Sequence, residues 1–361
     1  MSFVLPLTAD TPLIYRVSLE ADMRSGVIAG TAAIGLALAL GVAAVGQQPT
    51  VADEHFAKAR AAAGRDFTDI FDTSCGYIRP DAVITPAQPA AAAASGPPQR
   101  DKWHAEPVKV FDNLYFIGQT EYSAWAITTS EGIIVMDAIF DYSVEDEVVN
   151  GLTSLGLDPK QIKYVIVSHA HGDHVGGARY LQEHNAHIVM SGPDWDLMER
   201  SRVNFAKPTR DVVATDGQKL TLGDTTITMY LTPGHTLGTI SSIFPVKDGG
   251  ATHMAAYWGG TAFNWVRGPA AYITPERPAR FWFDSYAQSA QRFGEVASRA
   301  GADVVLSNHT KYDLSTTKLA LVQKRPRGSA NPYVIGKENV QRFFTIAAEC
   351  GKAGVATTPA S

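Results

Sequence analysis

From residue 108 onward the chain alternates short apolar runs with turn residues. Positions 108–111, 115–117, 123–129 and 133–137 read as brief strands, separated by Asp112-Asn113 and Glu131-Gly132. Residues 143–155 carry apolar side chains at helical spacing and stop at Gly156, which predicts an amphipathic helix. The β-branched run 164–168 then reads as a buried strand. The theme repeats with strands at 188–190, 225–231, 241–245 and 253–257 and a long helix with an apolar stripe at 275–299. A returning strand at 303–307 and outer helices at 316–323 and 337–350 complete it. Two successive strand-and-helix halves predict a layered α/β domain.

The first hundred residues follow other rules. Residues 26–46 hold no charge and are rich in Ala, Leu, Ile and Val, so they form either a signal peptide or a membrane anchor. Residues 1–22 set Asp10, Glu20 and Asp22 against Arg16 alone, a poor basic lead-in. Met23 followed by Arg24 is a better one, and the small residues of 44–46 before Gln47 suit cleavage. The expectation is a start at Met23 and an exported enzyme, periplasmic or secreted, touching a membrane only through an uncleaved 26–46. Residues 52–71 have helical character with Asp53 as N-cap, and 80–98 is a Pro/Ala-rich linker. The organisation expected is therefore a leader at 1–46, a helical segment and linker at 47–99, and the main domain at 100–361.

Composition changes this picture little. The 361 residues are 45% hydrophobic and 19% charged, ordinary for a globular enzyme with an ample core. A net charge of −5, with no concentrated basic run, argues against nucleic acid as a partner and leaves a small molecule. The two cysteines, Cys75 and Cys350, are either a disulfide joining the N-terminal segment to the last helix or two buried thiols.

The chemistry sits in three places: His169-Ala170-His171-Gly172-Asp173-His174, His235 in Thr-Pro-Gly-His-Thr, and His309 in Leu-Ser-Asn-His-Thr. Each follows a strand-like run. In a strand, His169 and His171 share a face, and the turn after them returns Asp173 and His174 to the same space. Three strand ends on one rim would supply five imidazoles and one carboxylate, enough for two ions. The other histidines, His55, His104, His184 and His187, lie in polar surroundings and read as surface residues, and His253 opens a strand.

These motifs, over about 108–309, resemble the metallo-β-lactamase superfamily. The resemblance implies an αββα sandwich with metals in a groove at one edge. It implies two Zn2+ per chain, one held by His169, His171 and His235, the other by Asp173, His174 and His309. Asp137, ending the strand at 133–137, matches an Asp that supports the site from behind the ligands. Most hydrolases of this superfamily also carry a later acid that bridges both metals, and 255–263 here contains neither acid nor cysteine. Its lack fits the third subclass of true metallo-β-lactamases. That subclass usually has serines near this strand end for the substrate carboxylate, where this chain offers Thr261 and Asn264. Tyr122 and Trp125, on a hairpin that overhangs the metals in this superfamily, are candidate groove walls, as is Phe205.

No Gly-x-Ser-x-Gly elbow and no cysteine beside a motif histidine supplies a nucleophile. A water activated between two zinc ions would do so, with Asp173 orienting it and returning a proton to the leaving atom. The expected reaction is hydrolysis of a cyclic amide, β-lactamase-like, or of a lactone or other carboxylic ester. A non-haem iron oxidoreductase is a third possibility on the same fold.

Overall fold

The computed structural model describes residues 48–78, 96–263 and 272–358. The leader, most of the Pro/Ala linker and Asn264 lie outside the described residues. Among the described residues, no helix is long and apolar enough to cross a membrane.

Two sheets face each other. The first runs in chain order: β1 (Val108–Lys109), β2 (Leu114–Phe116), β3 (Trp125–Thr129), β4 (Gly132–Met136), β5 (Ile162–Ile166), β6 (His187–Ser191) and β7 (Val212–Ala214). It is antiparallel as far as β4 and parallel from β4 to β7. The second holds β8 (Lys219–Leu222), β9 (Thr225–Leu231), β10 (Ile240–Asp248), β11 (Ala251–Trp258) and β12 (Val304–Ser307), in the order β12-β11-β10-β9-β8. Only its β11–β12 pairing is parallel.

Strand alternation divides the apolar side chains between layers. Ile134 and Met136 of β4 point into the space between the sheets, where they join Trp125, Ile166, Ile227, Phe244 and Tyr257 in the central core. Val135, between them, points outward to a second cluster. That cluster is covered by α3 (Gly151–Ser154), α4 (Gly172–Val175), α5 (Ala178–Glu183) and α6 (Gly192–Arg200), through Leu152, Val175, Leu181, Trp195 and Met198. A wide helical turn, Glu145–Asn150, leads into α3, so the helix expected at 143–155 is irregular at its start.

The outer face of the second sheet buries Trp258 and Val305 under α7 (Ala279–Ala300) and α9 (Lys337–Thr357); α8 (Ser315–Gln323) lies between them in sequence. The helices approach closely: a Cβ on Gly351 would lie 2.9 Å from that of Ala287. Helix on sheet on sheet on helix is the αββα sandwich.

The N-terminal segment belongs to this outer layer. Helices α1 (Val51–Ala63) and α2 (Thr68–Ser74) put Phe67, Ile70 and Phe71 into the same cluster as α7 and α9. Arg342 of α9 donates to the carbonyls of Ala62 and Ala63, and Cys75 is disulfide-bonded to Cys350. The N-cap is Thr50, not Asp53. Thr50 accepts from the Asp53 N–H while the Asp53 carboxylate accepts from Thr50 N, a reciprocal capping box. Helix α9 also continues past Cys350, and β7, β8 and α6 are elements the apolar pattern did not reveal.

Candidate metal centre

The strand ends converge as their sequence positions require. His169 and His171 follow β5, and His171 is the N-cap of α4, whose single turn carries Asp173 and His174. His235 follows β9 after Gly234, whose φ is 137° and where an added Cβ would lie 2.5 Å from Tyr286 Cα, so no side chain fits. His309 follows β12. The preceding Asn308 donates at 2.7 Å to the carbonyl of Gly259, at the end of β11, which also faces His169 Nδ1.

Two sets of donor atoms result: His169, His171 and His235; and Asp173, His174 and His309. Within each set all donors lie within 4.8 Å of one another. The rings of His169 and His174 are 4.3 Å apart, so the triads stand side by side. In the first triad, His235 Nε2 is 3.0 Å from His169 Nε2 and 3.2 Å from His171 Nδ1. The far nitrogens of His169 and His235 face the carbonyls of Gly259 and Ala262, both at 2.9 Å. A carbonyl only accepts, so both rings carry their proton on Nδ1 and turn bare Nε2 lone pairs toward each other. Two lone pairs at hydrogen-bond distance repel, and a cation between them would remove the conflict. In the second triad, the buried His174 Nε2 makes no hydrogen bond, although Asp173 Oδ2 is 3.1 Å away. His309 Nε2 is 3.6 Å from the same oxygen. Nitrogen and carboxylate donors in threes fit zinc.

Asp137 supports the second triad. Its carboxylate accepts from His174 Nδ1 (2.9 Å), the Tyr257 hydroxyl (2.7 Å), and the N–H (2.6 Å) and hydroxyl (2.9 Å) of Ser168. Asp137 and Ala262, each an outer partner of a triad histidine, both have positive φ, 61° and 81°. Left-handed backbone in non-glycine residues is strain that the surrounding structure must hold in place.

Burial holds the first triad neutral. It lowers His169 well below the usual imidazole range, His171 to about 3 and His235 to about 4, and the neighbouring imidazoles add to this for His169 and His171. His309 is lowered by burial and then His174, to about 3. His174 is the exception. Burial opposes its charge, but Asp173 and then Asp137 outweigh this and raise it to about 10. Burial likewise opposes ionisation of Asp173, yet His174 and His309 hold it well below the carboxylate range.

A further carboxylate escaped the sequence reading. Asp194, buried in the first turn of α6, accepts from Ala170 N (2.9 Å), Thr236 Oγ1 (2.8 Å) and Gly238 N (2.9 Å). It staples the His169–His171 loop to the His235 loop. Gly238 must be small there, since its Cβ would lie 2.0 Å from Ser191 Oγ. Burial raises Asp194 to about 6 against these three bonds, of which the one from Thr236 lowers it most.

The expected substrate contacts divide. Tyr122 is half-buried with its ring 5.1 Å from that of His309, at the second triad. Phe205 overlies Gly172 of the metal loop, 3.2 Å from where a Cβ would stand. Trp125 is corrected: it is fully buried between the sheets, against Phe116 and Tyr333, and donates to the Ser307 carbonyl. Thr261 is corrected too, being 2% exposed with its hydroxyl 3.3 Å from that of Ser307. Both steady the strand end before His309 and face no groove. Among the other histidines, His55 is bonded to Glu349, His104 to the buried Glu147 and His253 to Asp303, while His184 and His187 are exposed.

Facing sheets with histidine-rich strand ends at one edge define a class of αββα metal-binding proteins, and the comparisons narrow it. Residues 117–249 match the family model described as the metallo-beta-lactamase superfamily. The solved structure of BJP-1, a subclass B3 metallo-beta-lactamase of Bradyrhizobium japonicum, is 26% identical with a TM-score of 0.53, covering 66% of this chain and 89% of that one. Native FEZ-1 metallo-beta-lactamase from Legionella gormanii shares the fold at 23% identity and TM-score 0.55, over 69% of this chain and 94% of that one. A hydroxyacylglutathione hydrolase of Gloeothece citriformis is 31% identical over 30% of this chain, and one of Yersinia pestis 35% identical over 21%. The matches span 38% and 27% of those two relatives' lengths. Over residues 117–249 the chain is similar to the metallo-beta-lactamase superfamily, and its αββα fold is that of the solved neighbours.

Proposed function

We propose that this chain is an exported dinuclear zinc hydrolase that opens a strained cyclic amide, β-lactamase-like. The observation that carries the reading is the pair of converging triads, each with three donors within reach of one ion, and in the first of which two bare Nε2 lone pairs face each other. Zinc, when bound, would activate water at neutral pH and polarise the scissile carbonyl. The remaining work falls to side chains. Asp173, held ionised by His174 and His309, is the acceptor that would orient the attacking water and carry its proton to the leaving nitrogen. Asp137 fixes the His174 ring, and Asp194 fixes the spacing of the two loops that carry the first triad. Tyr122 walls the second-triad side of the groove. Similarity to a subclass B3 structure and the absence of a bridging acid at 255–263 support the amide over other substrates. The Cys75–Cys350 bond supports an oxidising compartment.

The partial likeness to hydroxyacylglutathione hydrolases favours a second reading, hydrolysis of a carboxylic ester or lactone on the same triads. Zinc-loaded protein assayed on a cephalosporin, a carbapenem, a γ-lactone and a thioester separates the two. The proposal expects ring opening of at least one β-lactam. Turnover of the lactone or thioester alone would replace it with the second reading, and iron in place of zinc would end both.

A further inference from the structure

We infer that Tyr272 is a positioning residue for the first triad, setting which nitrogen of His171 is free to bind a metal; this rests on the proposal that the triad holds one. His171 Nδ1 points at His235, and the other ring nitrogen, Nε2, is 2.5 Å from the Tyr272 hydroxyl. The outer nitrogens of His169 and His235 face main-chain carbonyls, which admit only one tautomer. The partner of His171 is a phenol, which can donate or accept. When it accepts from Nε2–H, the Nδ1 lone pair faces the triad. When it donates, the ring proton moves to Nδ1 and the triad loses a ligand.

The phenol is itself held in place. The Tyr272 carbonyl accepts from the indole N–H of Trp282 at 3.2 Å, and the two rings meet edge to face at 5.6 Å. Trp282 is 2% exposed in α7, within the cluster that α9 and the N-terminal helices complete. A single hydroxyl thus carries the outer helix layer to a first-triad ring. His174 has a comparable partner in Asp137, but a carboxylate only accepts, whereas the phenol of Tyr272 permits both tautomers of His171.

Outer partners of this kind change metal affinity roughly 10- to 100-fold. Tyr272→Phe, which keeps the ring and its packing on Trp282, should weaken zinc binding at the first triad by that factor in competition with a chromophoric chelator. It should leave the other site unchanged and alter the visible spectrum of the cobalt-substituted protein. In a His171→Ala background the same change should have no further effect. Equal affinity and an unaltered cobalt spectrum in Tyr272→Phe would overturn the assignment, as would a loss of the same size without His171. Wild-type protein that takes up no zinc would instead overturn the metal reading on which it rests.

Discussion

The two triads are neighbours built on different principles. The first consists of three neutral imidazoles drawn from both sheets, with every outer nitrogen engaged by a carbonyl or a phenol and its two loops stapled by Asp194. The second combines a carboxylate with two histidines, one of which is charged because Asp173 and Asp137 flank it. A proton on His174, held by Asp173 and Asp137, competes with a cation for the same nitrogen. Filling the first site requires displacing nothing, and filling the second requires removing that proton.

The difference can be broken most severely at His235, which faces both other first-triad rings. His235→Ala should abolish first-site zinc and reduce turnover on the order of 10³-fold, measured by elemental analysis and steady-state kinetics. Asp137→Ala should act chiefly on the second triad. It leaves His174 Nδ1, Tyr257 and Ser168 without their buried acceptor. Loss of one partner of a buried pair costs about 3–5 kcal/mol, so the melting temperature should fall, and second-site affinity should drop roughly 10- to 100-fold. An unchanged second site would mean that Asp137 serves only the fold.

Acidity sharpens the contrast. A ring titrating near 10 binds a proton across the neutral range, so below that value proton and metal compete. Second-site affinity should rise about tenfold per pH unit between pH 6 and 9. First-site affinity should be flat there, because His171 and His235 titrate near 3 and 4. Parallel pH dependences would erase the distinction. The smallest effect on either triad should come from reducing Cys75–Cys350, which closes a separation of 275 residues in the outer helix layer. Disulfides typically contribute about 2–4 kcal/mol, so melting should shift downward while zinc content and initial rate stay constant.

Much of this was legible along the chain because it is local. Strand-then-histidine is readable at 164–169, 225–235 and 303–309, and alternation within a strand puts His169 and His171 on one face. Asp137 was reached through its motif, at the end of an apolar run. The remainder is long-range. Asp194 looks like an ordinary acid three residues after Ser191, a helix N-cap; only the fold shows its carboxylate turned toward residues 170, 236 and 238. Tyr272 lies in a stretch with no period at all. Trp125 and Thr261 have the chemistry of groove residues, but the packing of Ser307 turns both inward. The short strands at 212–214 and 219–222 alternate too briefly, and with too many polar residues, to stand out from loops.

The most direct test of two unequal triads is a zinc titration of the metal-free protein at pH 7, following the histidine rings by ¹⁵N–¹H NMR. Before zinc, His169, His171, His235 and His309 should be neutral and His174 an imidazolium. The first equivalent should shift His169, His171 and His235. The second should shift His174 and His309 and remove the ring proton of His174. A neutral His174 at the outset, or one equivalent that moves all five rings together, would contradict the account.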